Sequence, residues 1–122
     1  MKLSLRNVLS WLTHDDFKRI LREAQTFYDN FRPQRMVVPV VTYEEAVKYF
    51  VEQRPTDARI AKGALMQEPK NDKTQITWTF LDDNNQLLCG SDNKPYGHRV
   101  LAISLDTELM DAFGEKSLVI FQ

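Results

Sequence analysis

Four side chains capable of chemistry fall within one short stretch of this chain, CGSDNKPYGHR at 89–99: Cys89, Tyr96, His98 and Arg99. A cysteine attacks only as its thiolate, so Cys89 needs a base beside it. His98, across the loop, is the base that tight strand pairing could bring there. His98 and Cys89 are therefore the catalytic candidates. Against them stands the ordinary role of a free cysteine, a small hydrophobe packed beside Leu87 and Leu88. Arg99, with Tyr96 and His98, forms a second candidate set, in which guanidinium, phenol and imidazole orient a small anionic ligand in an apolar cleft. The remaining residues of the stretch, Asp92, Asn93, Pro95 and Gly97, are accounted for by a chain reversal alone.

Register sharpens the second set. Side chains alternate along a strand, so after Gly97 the side chain of Arg99 shares a face with Leu101, Ile103 and Leu105, and His98 falls with Val100, Ala102 and Ser104. One charge is thereby aimed at an apolar face. It either snorkels to water beside Asp92 or serves as the polar group of a binding site.

Other chemistries lack their residues. The only other histidine, His14 in THDD, belongs to a helix start, and no His or Cys stands at ligand spacing to another, so no metal site is expected. There is no Gly-x-Ser-x-Gly elbow, phosphate loop or dinucleotide fingerprint, and no cofactor is expected. The 122 residues carry a net charge of −1, which argues against general affinity for nucleic acid. Residues 1–35 are nevertheless basic, with seven Lys/Arg against four Asp/Glu, while 36–122 hold nine against thirteen. The sign asymmetry is that of two oppositely charged solvated faces. No apolar run approaches the 18 or so residues of a membrane span. A single cysteine excludes an internal disulfide and makes a reducing, cytoplasmic setting the expectation.

The elements that must position these side chains follow from periodicity. Phe17, Ile20, Leu21, Ala24, Phe27, Tyr28 and Phe31 recur at helical spacing, with Thr13 as cap and Asp15 and Asp16 at the positive end of the helix dipole. A shorter amphipathic segment at 5–12 precedes this helix, and Pro33 closes it. RMVVPVV reads as a strand, which Pro39 confines to a sheet edge or bulge. Thr42 and Glu45 form a capping box for a helix whose apolar face is Tyr43, Ala46, Val47, Phe50 and Val51, leaving Tyr49 on the polar side. Residues 57–68 fit helix or strand, with a strand entering the EPKND turn favoured. TQITWTFLD alternates Ile76, Trp78 and Phe80 with Gln75, Thr77 and Thr79, as a strand with one wet face does. QLLCG and RVLAISL are expected to continue a meander. Asp106 or Thr107 caps a short helix that ends at Gly114, and SLVIF is the last strand.

Together these predict one α+β domain over 1–122, helical over 1–55 and β-rich over 56–122. Its architecture is a curved antiparallel β-meander covered by the N-terminal amphipathic helices. In element order the chain is similar to nuclear transport factor 2-like and cystatin-like domains, whose curved sheets wrap a helix. A small cupin-like barrel is the alternative, because five or six short strands could close on themselves. Catalytic signatures are absent and titratable groups do not cluster, so the expected function is a non-enzymatic ligand-binding or protein-interaction module. Its expected partners are a small anionic ligand, another protein or a second copy of itself. Tyr49 and the apolar edges MVVPVV and SLVIF suit the last two. A small enzyme built on His98, Tyr96, Arg99 and Cys89 is the alternative.

Overall fold

The computed structural model describes residues 14–31 and 36–122, so the expected segment at 5–12, Thr13 and Pro33 lie outside the described residues. Helix α1, His14–Phe31, carries Asp15 and Asp16 in its first turn. Strand β1 (Met36–Val41) leads through Thr42 into α2 (Tyr43–Glu52), and then follow β2 (Lys62–Lys70), β3 (Lys73–Leu81), β4 (His98–Leu105), α3 (Thr107–Phe113) and β5 (Leu118–Phe121). The Thr42 hydroxyl accepts the Glu45 N–H at 3.1 Å, satisfying one of the donors a helix start leaves open. Asp106 caps α3 through the Leu109 N–H, and the same carboxylate oxygen takes the Tyr43 N–H at 3.0 Å. One side chain thus ties the starts of two helices together.

The five strands form one open sheet in the order β1-β4-β3-β2-β5. The fold class is α+β, but the sheet is mixed, because β1 pairs parallel with β4 while β4, β3, β2 and β5 pair antiparallel. Closure into a barrel does not occur: β1 and β5 lie at opposite edges, and helices cover both faces. On one face α1 sets Ile20 and Ala24 against Ala64, Met66, Leu81, Leu118 and Ile120. On the other, α2 and α3 bring Ala46, Val47, Phe50, Leu109 and Phe113 onto Leu65, Ile76, Trp78, Phe80 and Phe121.

Double coverage explains where the strands depart from expectation. Gln75, Thr77 and Thr79 do alternate with the apolar residues of β3, yet all three are buried, since their face lies beneath α1 and not in water. QLLCG is not a strand. The Asp82 carboxylate accepts the N–H groups of Asn84 and Gln86 and curls the chain, after which only isolated bridges form, Leu81 with Leu87 and Cys89 with Pro95. Residues 57–68 resolve as a turn followed by β2, where Gly63 leaves room for the Phe50 ring that a Cβ would strike.

Candidate functional site

Arg99 and His98 are neighbours in sequence on β4, and the sheet therefore sends them to opposite faces. Arg99 lies under α1 with its side chain 1% exposed. Its Nη1 donates to Asp29 Oδ1 at 2.9 Å, its Nη2 to Gln25 Oε1 at 2.5 Å, and its Nε to Thr77 Oγ1 at 3.2 Å. The guanidinium carbon stands 5.0 Å from the centroid of the Tyr28 ring, a cation–π distance. Gln75 extends the network, donating to the same Gln25 oxygen at 3.1 Å. The charge aimed at an apolar face has its carboxylate in Asp29, on the helix, and not in Asp92, whose side chain accepts the Lys94 N–H in its own turn. Gln25 and Asp29 are one helical turn apart on the flank of the apolar stripe of α1, and that spacing was the available sign of a paired polar grip.

Tyr96 belongs to a third environment. Its hydroxyl donates to Asp57 Oδ2 at 3.0 Å, and Arg59 reaches the same carboxylate through Nη2 at 2.6 Å and Nε at 3.0 Å. Hydrogen bonds from Arg59 hold the Asp57 carboxyl well below the usual carboxylate range, and the bond to Asp57 pushes the Tyr96 phenol up. Arg59 also donates to the Cys89 carbonyl, so the cluster staples the 57–60 turn to the 89–97 loop. Burial pushes the Cys89 thiol up, away from the lowered value a nucleophile needs. Among the described residues no three His, Cys, Asp or Glu side chains are grouped to hold a metal ion.

His98 faces α2. Its ring stacks on Tyr49 with centroids 5.8 Å apart and planes 19° apart, and lies 5.6 Å from Trp78. Tyr49 is not the solvent-facing aromatic its heptad neighbours implied. It packs against Phe50, Trp78 and Phe80, because it sits about 60° around the helix from Ala46 and so borders the buried arc. Trp78 is fixed by an Nε1 hydrogen bond to the Ala46 carbonyl at 3.1 Å. These three rings floor a groove of about 230 Å³ between α2 and the sheet, walled by Val38 and Val40 of β1, with Glu45 at its rim. A second cleft, of about 320 Å³, lies on the other face between Lys18, Arg22 and Gln25 of α1 and Gln67 and Glu68 of β2.

The groove opens beside the exposed edge of the sheet. β1 is an edge strand, and Met36, Val37 and Val40 are 61%, 51% and 38% exposed, with Ile103 of β4 at 59%. At the opposite edge every residue of β5 is buried. Of the sequence-derived candidates, then, the structure brings His98 into a groove, places Arg99 in a buried network on the far face, and holds Tyr96 and Cys89 in a loop staple.

No known family, curated protein or solved structure matches the chain. Among the described residues no helix is long and apolar enough to cross a membrane.

Proposed function

We propose that this protein is a non-enzymatic protein-interaction module that receives an extended apolar segment along β1 and in the adjoining groove of Tyr49, Trp78 and His98. The observation that carries the reading is the uncharged edge strand MVVPVV, exposed on both faces and bordering an aromatic groove. Exposed apolar edge strands ordinarily carry charges or cover, and β1 has neither among the described residues. Extended peptides bind such edges through main-chain hydrogen bonds, with pockets for alternate side chains supplying specificity.

Catalysis finds no support in the placement of the candidates. The Arg99 guanidinium is occupied by Asp29, Gln25 and Thr77, and the Tyr96 hydroxyl by Asp57. The Cys89 thiol is raised by burial and has Arg59 and Asp92 as its charged neighbours. Among the described residues that line the groove the one carboxylate is Glu45 and none is Lys or Arg, a sign that disfavours a small anionic ligand there.

The test is titration of the isotope-labelled protein with a panel of blocked hexapeptides rich in Val and Ile. Amide shifts are expected to cluster at Val38, Val40, Tyr49, His98 and Val100, and Val40→Lys is expected to weaken binding by about tenfold or more without unfolding the protein. Shifts confined to the Lys18–Glu68 cleft, or none with any peptide, would refute the reading.

A further inference from the structure

The backbone of β1 says more than its exposure does. The Val41 carbonyl accepts the Asp106 N–H, and the Pro39 carbonyl accepts the Ser104 hydroxyl, so Pro39 and Val41 turn their polar groups toward β4. Successive residues of a strand point these groups to opposite sides. Met36, Val38 and Val40 therefore direct their N–H and C=O groups outward, where among the described residues no strand lies. The consequence for Pro39 is the reverse of its usual protective one. Its ring replaces a donor on the inner side, and the outer edge keeps every donor it needs.

We infer that the segment received along β1 is β1 of a second copy, paired antiparallel about a two-fold axis through Val38. This inference rests on the interaction reading above and names its partner. An axis at Val38 sets Val38 opposite itself and Met36 opposite Val40, so every outward-facing residue meets another outward-facing residue and each pair exchanges both N–H···O bonds. Axes at Val37 or Pro39 leave one of them unmatched. The strand is uncharged throughout, so self-pairing sets no like charges across from each other. Its exposed side chains lie on both faces: Met36 and Val40 pair in register with Val100 and Ser104, and Val37 with Leu101 on the other face, beside Ile103. A partner must cover both sides at once, which an identical sheet edge does and a lone peptide does poorly. In this register Met36 of the second copy falls against Val40 at the mouth of the aromatic groove, a setting in which a thioether is favoured.

Sedimentation equilibrium over a range of concentrations tests the inference, with circular dichroism to establish that each variant folds. Wild type is expected to dimerise. Met36→Lys, at a residue 61% exposed, and Val38→Pro, which removes only an outward donor, are each expected to raise the dimer dissociation constant by about tenfold or more. Met110→Lys, at an apolar residue of α3 that is 50% exposed, is expected to leave it unchanged. If Val38→Pro fails to fold, Met36→Lys decides alone. A monomeric wild type, or a dimer indifferent to Met36→Lys, overturns self-pairing. A monomer that still binds the hexapeptides at Val38 and Val40 overturns self-pairing while leaving the interaction module standing.

Discussion

Arg99 donates to Thr77 of β3 and to Gln25 and Asp29 of α1, so one guanidinium ties the helix to the sheet. The grip is asymmetric, since the guanidinium is buried while the Asp29 carboxyl side chain is 57% exposed. Arg99→Ala leaves the buried Thr77 hydroxyl without its donor and takes from the Gln25 oxygen one of its two, and is expected to cost about 3 kcal/mol. Asp29→Ala, removing a partner that water can replace, is expected to cost about 1 kcal/mol or less. Chemical denaturation of both variants checks the ranking, and equal losses would contradict it. The Asp57 staple makes a second residue-scale prediction. Its folded carboxyl titrates below the usual carboxylate range, so its contribution is present above that range and is lost as pH falls through the folded value. The urea midpoint of wild type is expected to exceed that of Asp57→Asn by a constant amount near neutrality, with the gap narrowing below about pH 4. A gap independent of pH would contradict the assignment.

At the scale of elements, α2, α3, β1, β3 and β5 were legible because caps and periodicity are local. Thr42, Asp106 and Gly114 mark helix boundaries that the structure reproduces. What sequence could not supply was the layer above each strand. Gln75, Thr77 and Thr79 have the composition of a wet face and lie under a helix, and Tyr49 has polar helix neighbours and packs among rings. Both outcomes depend on which element crosses over which, a non-local fact. The join between the 89–97 loop and β4 is a tight one. Gly97 takes φ of 124°, and a Cβ there would collide with the Trp78 carbonyl and the Tyr28 hydroxyl. That hydroxyl reaches the carbonyl oxygens of Trp78 at 2.8 Å and Tyr96 at 2.7 Å. Gly97→Ala is therefore expected to destabilise the fold by several kcal/mol, more than Tyr28→Phe at about 1–2 kcal/mol. Thermal unfolding orders the two, and a neutral Gly97→Ala would show that the loop relaxes freely.

Across the whole molecule, protection is distributed unevenly. Among the described residues one sheet edge is buried, both faces carry helices, and most of the large exposed apolar side chains lie on β1 and the neighbouring β4. The parallel placement of β1 was beyond the reach of sequence, since it requires pairing Met36 with Val100 across the intervening α2, β2 and β3. That placement is also what gives the edge its chemistry, by turning Pro39 inward and leaving the polar groups of Met36, Val38 and Val40 to face outward. The most direct test of an edge that receives a strand is amide hydrogen exchange at Val38 and Val40, whose N–H groups point away from β4. Their exchange is expected to slow in concentrated protein, or on adding the apolar hexapeptides, relative to dilute protein. Exchange at these two amides that is equally fast in dilute, concentrated and peptide-saturated samples would contradict the account.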